Sequence, residues 1–441
     1  MASFLTPFMG SSVNIALPSI GREFEMNAVL LSWIPTSFLL SAAMFLVPAG
    51  RIADIHGRKR IFTYGIFIFT LSAFLMTMSP SANFLISLRF LQGIGSSMVF
   101  GTAVAILISV FPAGERGKAL GINAASIYLG LSLGPFVGGF LTQHFGWRSI
   151  FLATIPVGLI VITLIFLTLK GEWAEARGER FDLSGSIIYS LTLLAIMYGL
   201  SLLPAPLSLW LILIGILGIF AFIRWEIKAI NPILGINLFR NNMVFSFSNL
   251  AAFINYCATF AVVFLLSLYL QYIKGLSPQK TGLILVFQPV VMTIFSPFAG
   301  RLSDRIEPRI VASIGMALTA LGLFLLTSLN EKTNLEFIIA CLILLGFGFA
   351  FFASPNTNAV MSSVGKKFYG VASGTLGTMR LIGQMLSMGI AMLLFAIYIG
   401  KVQITPEYHQ LFMKSVKAAF IIFATLCSGG IFASLAKGKV R

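Results

Sequence analysis

About fourteen runs of apolar residues follow one another along this 441-residue chain, and no other feature restricts its fold so severely. They lie near 3–20, 30–50, 61–79, 83–111, 118–142, 149–169, 183–203, 207–225, 243–270, 281–300, 309–329, 337–362, 370–399 and 415–436. A helix takes roughly 20 apolar residues to cross a bilayer. With 58% of its residues hydrophobic, only 10% charged and 42 Phe, the chain carries far more apolar surface than a soluble core consumes. The connectors are too short for a second, soluble domain. An all-α integral membrane protein of about 14 transmembrane helices is the expected fold class.

The runs are also duplicated. Gly50-Arg51-Ile52-Ala53-Asp54 recurs 250 positions later as Gly300-Arg301-Leu302-Ser303-Asp304, each at the end of an apolar run carrying a proline. Gly93-Ile94-Gly95 is echoed in the same way by Gly346-Phe347-Gly348. Duplication in a membrane protein implies two similar helical bundles facing each other, the plan by which many secondary transporters build an alternating-access site. Six spans with their loops occupy about 180–200 residues, so the offset is too long by two helices. The expected order is a six-helix bundle over 1–170, two inserted helices with their linkers over 171–241, and a second six-helix bundle over 242–441.

The net charge of +16 would suggest nucleic-acid binding in a soluble protein, but here the positions of the charges decide. Most of the 30 Lys and Arg fall on the side of the 51–60 loop, which the positive-inside rule makes cytoplasmic. An even number of spans puts both termini on that side of a multi-pass cell (plasma) membrane protein. The excess is thus a topology signal, with some attraction to anionic lipid. Met1 opens directly on an apolar run, without a basic leader or a small-residue cleavage site, so no signal peptide is expected; an upstream start codon stays open. Cys257, Cys341 and Cys427 lie in separate runs without metal-ligand spacing and read as small buried hydrophobes. No phosphate loop, HExxH helix or nucleophile elbow is present, so no enzyme activity, cofactor or catalytic residue is expected, and any work must draw on a gradient.

The loop Gly50-Arg51-Ile52-Ala53-Asp54-Ile55-His56-Gly57-Arg58-Lys59-Arg60 resembles the signature between spans two and three of the major facilitator superfamily. Arg89-Phe90-Leu91-Gln92-Gly93-Ile94-Gly95 is similar to that superfamily's span-four motif, and the run Gly130 to Gly139, with Gly134, Pro135 and Gly138, resembles its antiporter motif of span five. Asn14-Ile15-Ala16-Leu17-Pro18 and Gly146-Trp147-Arg148 fit the same pattern. With two inserted helices, the chain resembles the fourteen-span drug:proton antiporter branch over essentially its whole length. The resemblance implies multidrug efflux, with a small-molecule substrate, protons as coupling partner and a monomer as a sufficient unit.

Each motif has a physical reading. Gly50 and Gly57 permit a tight reversal, and Asp54 can accept charge-assisted hydrogen bonds. The resemblance makes this a cytoplasmic latch between the halves, assigned to Asp54 with Arg58 and either Arg116 or Lys118; Asp304, with Arg301 and Arg305, is its second copy. Gly130, Gly134 and Gly138 put three side-chain-free positions on one helix face, where another helix can approach closely, and Pro135 removes a backbone hydrogen bond, so this stretch is a hinge or a packing face. Arg89, two turns into span four, is costly there unless it meets a partner or a wet cavity, and Gln92 shares its face. Arg380 with Gln384 is a similar pair in span thirteen. Asn14, Asn123, Asn255, Gln288 and Asn356 are further candidates for a polar cavity lining, with interhelical hydrogen bonding as the plainer alternative.

One element of the branch is missing. All 14 Asp and Glu fall in connectors or at span ends, and Met9 stands where the branch typically carries a membrane-buried Asp five residues before the position of Asn14. Proton coupling would then use an edge acid such as Glu23, Glu25 or Asp54, or a tyrosine or water network near Arg89. Export of small hydrophobic or amphipathic compounds is one reading. Two buried arginines without a buried acid also suit an organic anion, metabolite or siderophore with non-standard coupling. A nontransporting membrane sensor on the same scaffold is the third.

Overall fold

Polar caps and prolines punctuate a chain that is otherwise helix from end to end. The structure, a computed structural model, describes residues 1–112, 115–229, 232–234, 236–365, 369–400 and 402–436, and only the backbone at 116–118, 120, 236, 237 and 241. In the first half α1 spans Ala2–Glu23, α2 Ala28–His56, α3 Arg58–Thr77, α4 Ala82–Val110, α5 Arg116–Phe145 and α6 Arg148–Thr168. The inserted pair is α7, Leu183–Leu202, and α8, Pro206–Lys228. The second half comprises α9, Met243–Ile273, α10, Pro278–Arg305, α11, Pro308–Leu326, α12, Leu335–Ser362, α13, Tyr369–Tyr398, and α14, Pro406–Leu435.

Local chemistry explains several boundaries. Asn27 accepts the Leu30 N–H at 2.8 Å and Asn242 the Phe245 N–H at 2.9 Å, each satisfying a helix-start donor that lacks an intrahelical partner. Pro206, Pro278 and Pro308 open α8, α10 and α11, where a missing N–H costs nothing. Among the described residues 13 helices can cross a membrane by length and composition. The more polar α1, carrying Thr6, Ser11, Ser12 and Asn14, is the remaining one of the fourteen, and it is buried along nearly its whole length.

The same packing recurs in both halves. In the first, α1 packs on α5, α2 on α4, and α3 on α4 and α6; in the second, α9 packs on α13, α10 on α12, and α11 on α12 and α14. Two glycine contacts repeat with it. A Cβ added at Gly95 would lie 2.7 Å from the Gly65 carbonyl oxygen, and one at Gly315 would lie 2.7 Å from that of Gly348, so α3–α4 and α11–α12 each meet backbone to backbone. Gly93 lies against the Phe38 carbonyl of α2, and Gly346 likewise against Gln288 of α10. The fold is two six-helix bundles with two extra helices, and no strand occurs among the described residues.

The helix pairs that join the halves include α2 with α13, α5 with α10, and α1 with α9. The inserted α7 packs on both α2 and α13: the Tyr189 hydroxyl donates to the Ala43 carbonyl at 2.9 Å, and Leu200 and Met197 lie against Gly389. In contrast, α8 touches mainly α7 and turns Leu209, Trp210, Ile214, Leu217 and Phe220 outward. The expected reversal at Gly50 is not made there. The α2 helix runs on to His56 and Gly57 alone makes the turn, at φ +118°; Gly50 faces Gly101 of α4 inside the bundle.

Candidate functional site

The helix ends divide the molecule into a basic side, with Arg51, Arg58, Lys59 and Arg60, and a far side, where α1 ends and α2 begins. On the far side the halves are joined. Ser267 of α9 donates to the Asn14 carbonyl at 2.7 Å, Gln271 donates to the Ile15 carbonyl at 2.9 Å, and the Ala28 N–H reaches the Val402 carbonyl at 3.1 Å. Close approach of α5 and α10 completes this seal: Gly139 lies against the Pro278 carbonyl and Gly282 against that of Pro135. Farther in, the hydroxyls of Ser132 and Thr293 meet at 3.2 Å. Gly130, Gly134 and Gly138 occupy the other face of α5, against Phe4, Phe8, Ser11 and Ser12 of α1. Helix α5 is therefore wedged between α1 and α10 on small residues, and one face alone accounts for the glycine spacing.

Deeper, polar groups from both halves converge. Arg380 of α13 donates to the Thr357 hydroxyl of α12 at 2.6 Å, its guanidinium lies 5.6 Å from the Tyr256 ring centroid of α9, and its Nε has no partner among the described residues. Tyr256 is also within electrostatic range of Tyr128 on α5. Arg380, Gln384, Thr357, Tyr256 and Tyr128 are all half-buried, as expected of groups lining a cleft rather than a core. Asn255, next to Tyr256 in α9, is 0% exposed, and among the described residues neither of its side-chain atoms is hydrogen-bonded. The Oε1 of Gln288 in α10 and the Oδ1 of Asn14 in α1 are unpartnered there as well. Buried amides left unsatisfied are costly, so each marks a place able to receive a hydrogen bond from something else. Asn356 is committed differently, donating to the Ser248 carbonyl at 3.1 Å, and Asn123 accepts from Ser3 at 2.5 Å.

Arg89 lies apart from that cleft. It is 1% exposed between α2 and α4, donating to the Ile34 carbonyl at 3.3 Å and to Gln92 Oε1 at 2.5 Å, with its guanidinium 4.5 Å from the Phe38 ring centroid. It makes no ion pair among the described residues. Arg380 is not its repeat: the glycine register that carries Gly93 onto Gly346 places Leu342 at the position equivalent to Arg89.

On the basic side, Asp54 accepts from Arg58 Nε at 2.8 Å, and Arg58 also holds Glu175 through two nitrogens at 2.8 and 3.0 Å and the Ser109 hydroxyl at 3.0 Å. Glu172 accepts the Lys59 N–H at 2.8 Å, and Glu179 pairs with Arg51. The linker after α6 is thereby strapped across the α2–α3 turn, a device the sequence showed only as a charged connector. All of these bonds stay on the first-half side, so in this conformation Asp54 does not bridge the halves through them. The side chains of Arg116 and Lys118 lie outside the described residues. Asp304 accepts from Asn358 at 3.2 Å and, among the described residues, makes no ion pair with Arg301 or Arg305. At the far end Glu23 accepts from Trp147 Nε1 at 2.7 Å and from Arg148 at 2.9 Å, tying α1 to α6. Ser267 and Gln271 were missed from the sequence, since their bonds run to backbone carbonyls that carry no side-chain signature.

Known proteins sharpen this picture. The sequence profile of the Major Facilitator Superfamily matches residues 1–225 and 249–438. The chain is 30% identical to the riboflavin transporter RibZ of Clostridioides difficile over 419 residues, covering 95% of this chain and 90% of that one. It is 31% identical over 391 residues to the multidrug resistance protein Stp of Mycobacterium tuberculosis, covering 86% of this chain and 71% of that one. Among solved structures, a bacterial homologue of the human lysosomal transporter Spinster, inward-facing and unoccupied, superposes with a TM-score of 0.71 at 14% identity, covering 99% of this chain and 95% of that one.

Proposed function

The chain belongs to the major facilitator superfamily, and from that premise we propose that it exports small hydrophobic or amphipathic compounds by alternating access, driven by a proton gradient. The observation that carries this reading is the cleft at Arg380: polar groups of α5, α9, α12 and α13 lie between the halves, whose backbone-to-backbone contacts fall on the far side while α2 and α13 still meet at Leu46 and Gly377. The bundles over 1–170 and 242–441 rock about that cleft, with 171–241 inserted between them. The basic side is cytoplasmic under the positive-inside rule, so the far-side seal leaves the cleft directed inward. Asn255, Gln288, Gln384 and Asn14 supply hydrogen bonds to substrate, and Arg89 with Gln92 holds α4 to α2. Export is supported by the span-five motif and by Stp's name.

A second reading has its own observation. Neither Arg89 nor Arg380 pairs with an acid among the described residues, and Met9 occupies the place of the usual carboxylate, which favours neutral or anionic substrates. Of the edge acids, Glu23 is held by Trp147 and Arg148 and Asp54 by Arg58, which leaves Glu25 the least committed. Proteoliposomes with an imposed pH gradient, given tetraphenylphosphonium or anilinonaphthalene sulfonate, test both. Gradient-driven accumulation of the cation supports multidrug export, accumulation of the anion alone supports the second reading, and no accumulation of either defeats proton-driven transport.

A further inference from the structure

A second polar pocket, of about 310 Å³, lies at the far-side end of the seam, well away from the cleft. Arg22 comes from the first half, and Gln271, Tyr272, Gln403, Thr405 and His409 from the second. None of the lining residues is acidic. Arg22 makes no ion pair among the described residues, because its neighbour Glu23 is turned to Trp147 and Arg148. The α-helix of α14 proper starts at His409, after a three-residue 3-10 turn over Pro406–Tyr408 that carries Glu407, and it brings the positive end of a helix dipole to the pocket. Gln271 is 6% exposed; its Nε2 is committed to Ile15 and Ser267, while its Oε1 accepts no hydrogen bond among the described residues. The Tyr272 hydroxyl, packed against Gly21, is likewise without a hydrogen bond there.

A basic rim with a helix start beside it calls for an anion, and a free acceptor left open on a largely buried side chain calls for a donor on the same molecule. We propose that this pocket binds a small hydroxy-carboxylate from the far-side medium and, by bridging the two halves, holds the far side closed. The carboxylate faces Arg22, His409 and the start of α14, and the hydroxyl donates to Gln271. Because the pocket exists only while the halves are joined there, its ligand selects that conformation and slows the cycle. That effect on flux rests on the alternating-access reading; the binding does not.

The test is titration calorimetry of L-malate into the full chain in nanodiscs, at ionic strength held constant with chloride. Saturable binding is expected, weakened about tenfold or more by Arg22→Ala and by His409→Gln, and weakened about two- to tenfold when succinate replaces malate. In proteoliposomes, malate on the far side should reduce substrate flux in the native protein and not in Arg22→Ala. Absence of saturable binding, or equal affinity in native protein and both variants, overturns the pocket. Intact malate binding with undiminished flux overturns its closing role. A preparation that binds malate but moves no substrate counts against the transport reading alone.

Discussion

Arg89 and Met9 show how a single position can be conspicuous in sequence while its setting stays out of sight. Arg89 was legible as a costly charge inside a span, but its neighbours were not, because the Ile34 carbonyl and the Phe38 face that receive it lie 55 and 51 positions away in the chain. Replacing it by Ala removes the hydrogen-bond partner of Gln92, whose Nε2 is already unsatisfied. Arg89→Ala is expected to lower initial transport rates about tenfold or more at matched incorporation, and Arg89→Lys to recover little, since an ammonium cannot reach a carbonyl and an amide from one planar fork. Native rates in either variant would show that transport does not depend on this tie between α2 and α4. Met9 stands where the branch typically carries a membrane-buried Asp, and it is 0% exposed here. Met9→Asp should therefore cost about 2.5–3.5 kcal/mol in the membrane, seen as a lower melting temperature than Met9→Leu, without new binding of a lipophilic cation. A Met9→Asp protein that melts like the native one would mean that this position opens to water.

At the scale of the element, α5 illustrates what periodicity conveys and what it omits. The spacing of Gly130, Gly134 and Gly138 announced a close approach, but gave neither α1 as the neighbour nor the second contact at Gly139, where α10 arrives. Gly134→Leu is predicted to overpack the α1 contact and destabilise by about 1–3 kcal/mol, with lost flux, whereas Gly121→Leu, at an exposed site where an added Cβ meets nothing within 4 Å, should behave as native. Fluorescence-detected melting of both variants checks this, and equal stability would remove the wedge. The strap of Glu172, Glu175 and Glu179 was hidden for a different reason: its acids are meaningful only beside Arg51, Arg58 and Lys59, more than a hundred positions earlier.

The whole molecule was more legible than its parts. Fourteen apolar runs and an offset of 250 residues led to two bundles and an inserted pair, because bilayer thickness and duplication act on long stretches where local irregularities average out. The conformation was not legible, since both closures of such a fold use the same sequence. If the halves rock, a disulfide between Ala28→Cys and Val402→Cys, whose backbones touch at 3.1 Å, should form under mild oxidation and stop transport until reduced. Undiminished flux through the cross-linked protein would be incompatible with rocking. The inserted pair has a last consequence. Of the two lateral seams, α7 caps the one between α2 and α13, while among the described residues no helix caps the one between α5 and α10, which Phe136, Phe140, Ile294 and Phe298 flank in the open. A machine of twofold ancestry thereby becomes one-sided: the wall has a shuttered window and an unshuttered one, and under the proposed export of hydrophobic compounds, greasy molecules dissolved in the bilayer would arrive through the unshuttered one.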